Sequence, residues 1–79
     1  MESSEIYRTL TPIFQDVFDD ETLALGPALS ADDVDGWDSL NHIRLMLSVQ
    51  KAFGVKFSAQ EISRLKNVGD LVELVKAKL

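Results

Sequence analysis

Apolar residues in this chain recur at steps of three and four, and nowhere do they alternate. Helices repeat about every 3.6 residues and strands every two, so the pattern leaves room for helices only. Ile6, Leu10, Ile13, Phe14, Val17 and Phe18 predict an amphipathic helix over roughly residues 4–18. Pro12 interrupts that run, either as a kink or as a restart with Thr11 as the cap. A second helix is predicted after Asp38, with Leu40, Ile43, Met46, Leu47, Val49 and Phe53 on its apolar half. Asn41, Arg44, Ser48 and Lys51 fall on the other half, and Gly54 suits the left-handed position that ends a helix. Ser58 and Glu61 form a capping box between Phe57 and Ile62, which predicts a short helix ending near Leu65. Asn67 and Asp70 open a last helix, with Val68, Leu71, Val72, Val75 and Leu79 directed inward. Lys76 and Lys78 sit in its final turn, where the helix dipole favours cations. The expected architecture is a small all-α bundle of three main helices and one short one.

Residues 19–37 show no sustained period and contain the turn signal Gly26-Pro27. Connections of this length are usually functional. Leu23, Leu25, Leu29 and Val34 are expected to tack the loop onto the core, and Ser30 with Asp33 to cap a single helical turn.

Composition narrows what such a bundle does. At 79 residues the chain is expected to form one domain, residues 1–79, with a small core and modest stability. It has no cysteine and one histidine, which removes disulfides, thiolate chemistry and the common histidine-rich metal centres. Eight basic residues against thirteen acidic ones leave a net charge of −5. A surface of that sign repels nucleic acid and anionic membranes. No apolar run is long enough to enter a bilayer, and the acidic start Met1-Glu2-Ser3-Ser4-Glu5 lacks the layout of a signal peptide. A cytoplasmic, free-standing monomer is expected.

The residues that carry chemistry are Gly36-Trp37-Asp38-Ser39-Leu40. Asp38 is placed to cap the second helix, which puts Ser39 in its first turn facing solvent. A helix start offers unpaired N–H groups and a partial positive charge, so a phosphodiester is well tolerated there. Serine is also an ordinary helix-start residue. Other assignments of this region fare worse. Asp33, Asp35 and Gly36 mimic part of an EF-hand loop, but Ala31 and His42 stand where it needs carboxylates. Ser39, His42 and Asp38 invite comparison with a hydrolytic triad, yet no nucleophile elbow or oxyanion cradle accompanies them. His42 is expected to be a solvated helix residue, and Trp37 to pin the loop to the bundle with its indole N–H outward.

The pentapeptide resembles the prosthetic-group attachment motif of the acyl carrier and peptidyl carrier protein family. The resemblance extends along nearly the whole chain: a first helix and long loop before a central serine, then Leu40-Asn41-His42-Ile43-Arg44-Leu45-Met46-Leu47, Phe53-Gly54-Val55 and Val68-Gly69-Asp70-Leu71. It implies a small right-handed helical bundle that is a shuttle and not an enzyme. It further implies that Ser39 receives 4′-phosphopantetheine from coenzyme A through a phosphopantetheinyl transferase. Acyl or aminoacyl groups would then ride on the arm as thioesters between a loading ligase and a downstream transferase or synthase. The alternative is an unmodified helical interaction module.

The chain departs from the fatty-acid carriers of that family in one respect. Those have an acidic second helix, whereas residues 39–53 here contain no acid and include His42, Arg44 and Lys51. A specialised carrier, or one nearer the peptidyl carriers, is expected. Its partners are expected to read Asp35, Asp38, Leu40 and Arg44. Leu47, Val55, Ile62, Leu65 and Val68 are candidates to line a space for the cargo, and equally ordinary core positions.

Overall fold

In a computed structural model that describes residues 2–79, four α-helices follow in the predicted order. They are α1 (Ser3–Val17), α2 (Ser39–Phe53), α3 (Ala59–Arg64) and α4 (Val68–Lys78), and a 3-10 turn, Ala31–Asp33, lies in the long loop. Ile6, Leu10 and Phe14 of α1 meet Leu45, Met46 and Val49 of α2 and Val68, Leu71, Val72 and Val75 of α4 in one core. Phe57, just before α3, closes it.

Pro12 does not restart α1, which runs unbroken from Ser3 to Val17. Proline costs a helix the N–H that would meet the carbonyl four residues back. Arg8 and Pro12 both lie on the exposed side, so the carbonyl left over faces water. Thr11 does not cap a new helix either; its hydroxyl donates back to the Tyr7 carbonyl at 2.8 Å. The chain leaves α1 through Asp19, whose φ of +50° is in the left-handed region that aspartate tolerates.

The long loop is held by backbone as well as by apolar side chains. Leu23, Leu25 and Leu29 pack partly buried against the core, and Val34 is buried, as expected. The Asp33 carboxylate accepts from the Ser30 N–H at 3.0 Å and closes the 3-10 turn. The opening N–H groups of a helix have no partner inside it. In α4 those of Val68 and Gly69 donate to the carbonyls of Leu29 and Pro27 at 2.9 and 3.0 Å, and that of Asp70 to the Asn67 side chain at 2.8 Å. The loop therefore supplies part of the cap of α4.

Two helix faces differ from expectation. In α2 the buried stripe is Leu45, Met46 and Val49, flanked by half-buried His42 and Phe53. Leu40, Ile43 and Leu47, placed on the apolar half of the helix, are 70%, 54% and 62% exposed, which for Leu40 agrees with its expected place among the contact residues. At about 100° per residue, Leu40 and Leu47 lie nearly opposite that stripe. The helix has apolar residues on two sides, and a histidine at the centre of the buried one disguises which side faces in. In α4, Leu79 lies past the last turn at 55% exposure instead of facing inward.

The other expected ends are present. Gly54 ends α2 at φ +67°. The Ser58 hydroxyl accepts from the Glu61 N–H at 3.1 Å, while the Glu61 carboxylate accepts from the Ser58 N–H at 2.8 Å.

Gly69 sits where the loop crosses α4. A Cβ there would stand 3.0 Å from the Pro27 carbonyl oxygen and 3.2 Å from the Pro27 Cβ. Glycine to alanine inside a helix usually stabilises by about 0.5–1 kcal/mol. Gly69→Ala is instead expected to lower stability by about 1 kcal/mol, because crowding outweighs propensity. Thermal unfolding followed by circular dichroism measures the sign.

Candidate functional site

The loop tightens just before α2. Gly36 takes φ +86°, a conformation that side chains disfavour, and the Asp38 N–H donates to its carbonyl at 2.9 Å. The same carbonyl accepts from the Asn41 side-chain amide at 2.7 Å. Asp38 is the N-cap as predicted: its Oδ1 accepts from the Asn41 N–H at 2.9 Å, and its backbone carbonyl from the His42 N–H at 2.8 Å. Ser39 is thereby fixed as the first residue of α2 and is exposed. Among the described residues, the N–H groups of Ser39 and Leu40 have no partner.

The aromatic residues behind this turn are placed differently from expectation. Trp37 packs its ring against Phe14 at 5.5 Å in an edge-on arrangement, against Phe18 at 5.7 Å, and stacks on His42 at 6.1 Å. It does pin the loop to the bundle, but its indole N–H points inward and donates to His42 Nδ1 at 3.0 Å. An indole nitrogen can only donate, so Nδ1 must accept and the imidazole proton must sit on Nε2. That proton points to the Ile62 carbonyl, 3.1 Å away. His42 is therefore half-buried, not a solvated helix residue. With both ring nitrogens engaged it has no free base to offer Ser39, which removes the hydrolytic reading.

Of the residues expected to meet partners, Leu40 and Arg44 lie on the first two turns of α2, Asp38 caps it, and Asp35 precedes them in the loop. All four are exposed. The Arg44 guanidinium donates to Asn41 Oδ1 at 3.1 Å, which ties it to the same small network. The structural roles of Asn41 and His42 differ from the polar, solvent-facing positions expected of them. The sequence carries one signal of the buried position of His42, its register with Leu45, Met46, Val49 and Phe53.

A cleft of about 260 Å³ opens beside Ser39, with Trp37 and His42 on one wall and Ile62, Ser63 and Lys66 on the other. The five candidate cargo residues do not share one cavity. Val68 is fully buried, Ile62 and Leu65 face this cleft, and Leu47 and Val55 border a separate shallow depression at the end of α2. A phosphodiester on an exposed oxygen at this helix start fits the residues present: two free N–H groups, and Lys66 lining the adjoining cleft.

Fold and site together define a small helical bundle with Ser39 exposed at the first position of α2. Residues 8–75 match the family described as phosphopantetheine attachment site. The chain is 31% identical to an acyl carrier protein of Coprothermobacter proteolyticus, over all of its own length and 96% of that protein. It is 37% identical to one of Rickettsia bellii over 52% of this chain and 51% of that protein. The solution NMR structure of a holo acyl carrier protein from Geobacter metallireducens superposes with a TM-score of 0.85 at 47% identity, covering 91% of this chain and 83% of that one. The chain belongs to the acyl carrier protein family. It is a carrier and not an enzyme, and its cofactor is covalently attached 4′-phosphopantetheine. Among the described residues no helix is long and apolar enough to cross a membrane.

His42→Ala is expected to cost about 1–3 kcal/mol, since it leaves the indole N–H and the Ile62 carbonyl without their partner. Amide hydrogen exchange should accelerate in the loop before Ser39 and in α3 together, and unchanged protection in both would refute the tie. The Ser58 N–H and the Lys78 ammonium, 3.0 Å away, hold the Glu61 carboxyl below its ordinary value. A carboxyl lowered in the folded state stabilises it above the ordinary carboxylate range, and that contribution is lost as pH falls through the folded value. Acid should therefore loosen α3 in the native chain, and Glu61→Gln should flatten that pH dependence in NMR-monitored titrations.

Proposed function

We propose that Ser39 is the residue that bears 4′-phosphopantetheine, and that residues 1–79 act as one carrier of acyl or aminoacyl groups. The observation that carries this reading is the exposed serine at the first position of α2, beside two unpaired N–H groups. In the modification the Ser39 oxygen forms a bond to the β-phosphorus of coenzyme A. The bond from that phosphorus to the bridging oxygen breaks, 3′,5′-ADP leaves, and the serine proton is lost. A phosphopantetheinyl transferase supplies the base and the metal for this step. When attached, the group supplies a thiol that holds cargo as a thioester.

The chain's own residues do less, and what they do is positional. Asp38 and Asn41 lock the helix start, Gly36 lets the loop turn into it, and Trp37 with His42 keeps that turn seated. The partners are a transferase for the arm, an acyl- or aminoacyl-loading ligase, and a downstream transferase or synthase. Asp35, Asp38, Leu40 and Arg44 are the residues assigned to their recognition. An α2 without a single acid supports a specialised carrier, one outside bulk fatty-acid synthesis. Small exposed contact surfaces suit partners that must exchange quickly.

Incubation with coenzyme A, magnesium and a broad-specificity phosphopantetheinyl transferase, followed by intact mass measurement, should show the gain of one phosphopantetheine. Ser39→Ala should abolish it without altering the circular dichroism spectrum. No gain with a transferase shown to be active would leave the unmodified interaction module as the reading, with Leu40 and Leu47 as its contact residues.

A further inference from the structure

The chain has one tryptophan and one histidine, and they are bonded to each other beside the serine. Trp37 Nε1 donates to His42 Nδ1 at 3.0 Å, and His42 Nε2 donates to the Ile62 carbonyl at 3.1 Å. The first bond holds the loop that turns into Ser39, and the second holds α3. Only one form of the imidazole makes both. A second proton, taken from solvent, goes to Nδ1 and stands against the indole N–H. Turning the ring over gives no relief, because an imidazolium has no acceptor on either nitrogen. The Ile62 bond survives protonation, since Nε2 keeps its proton. At 6.1 Å between ring centroids the charged imidazole recovers little from the indole face. The string therefore has an acid-labile half on the serine side and an acid-stable half on the α3 side.

The charged groups around the ring do not replace what is lost. Asp38 and Lys66, of opposite sign, line the cleft that His42 walls. Asp32 and Asp33 of the 3-10 turn are exposed, and Asp33 is taken up by Ser30. On α3, Glu61 pairs with Lys78, and Arg64 borders a separate depression. On α2 itself, Arg44 is exposed and bonded to Asn41. What α1 packs against Trp37 is uncharged, the rings of Phe14 and Phe18. Among the described residues no carboxylate forms an ion pair with His42. We infer that His42 is a positioning residue for Ser39 and works only as the neutral imidazole: when it takes up a proton, the Gly36-Trp37-Asp38 turn is released and α3 is not. Imidazole is the side chain that changes charge between about pH 5 and 8. Loosening of α3 through Glu61 belongs to the carboxylate range, further into acid. The inference rests on the carrier reading above and adds to it a control on how the acceptor oxygen is presented to the transferase.

The first test needs only the unmodified chain. With one tryptophan and one histidine, its indole and imidazole NMR signals are unambiguous. In a titration from about pH 8 to about pH 5, the indole proton should lose its hydrogen-bonded shift in step with the charging of Nδ1, while amide protection in α3 holds. In His42→Asn, whose Oδ1 stands where Nδ1 did and does not titrate, the indole signal should not move. An indole signal that stays put while His42 charges overturns the inference. So does a His42 that stays neutral until circular dichroism shows the whole chain unfolding. The second test mixes equal amounts of wild type and His42→Asn with coenzyme A, magnesium and one phosphopantetheinyl transferase, and follows both by intact mass. The two compete for the same enzyme, so its own pH dependence cancels. The ratio of wild-type to variant rates should fall on the order of threefold between about pH 8 and about pH 5.5, and a constant ratio overturns the inference. If neither chain accepts an arm, it is the carrier reading that fails, and the titration still decides between a string that opens in acid and one that does not.

Discussion

The site depends on a short string of hydrogen bonds that runs from the Trp37 indole through His42 to the Ile62 carbonyl. Its three members belong to the loop, to α2 and to α3, and it joins all three at one point beside the helix start. The string has a direction imposed by chemistry. Because the indole can only donate, the imidazole must accept on one side and donate on the other. The contacts of the indole with Phe14 and His42 help hold the ring whose N–H makes the hydrogen bond. The helix start that presents Ser39 is steadied by groups that never approach its oxygen.

A second economy appears at the start of α4. Val68 and Gly69 give their N–H groups to loop carbonyls, so one pair of hydrogen bonds both caps a helix and anchors a long connection. The close approach requires Gly69 and explains why a residue of low helix propensity stands inside the first turn. The loop is thus a structural member between α1 and α4, and its last residues arrive at α2 already constrained. On the outward side of α2 the leucines remain in water, while Arg44 is tied back to Asn41.

Much of this was legible in the chain, for local reasons. Helix ends depend on neighbouring residues: Asp38 as a cap, Ser58 with Glu61, Asn67 with Asp70 and glycine at position 54 are all realised as read. The position of Ser39 at a helix start follows from them. What was misread depends on residues far apart. The proline in α1 is harmless because the carbonyl it orphans faces solvent. His42 reads as polar until Trp37 and Ile62 supply partners from opposite directions. Leu79 reads as the next apolar step until the helix ends beneath it.

Periodicity and capping chemistry by themselves determined that the chain is helical, where each helix begins, and which serine stands at an exposed helix start. These are short-range properties, set by backbone hydrogen bonds within a few residues. Tertiary structure alone decided which of the two apolar sides of α2 faces the core and what His42 does there. A helix with hydrophobic residues on both sides can be buried either way, and only the shape and hydrogen-bonding needs of the elements packed against it select one.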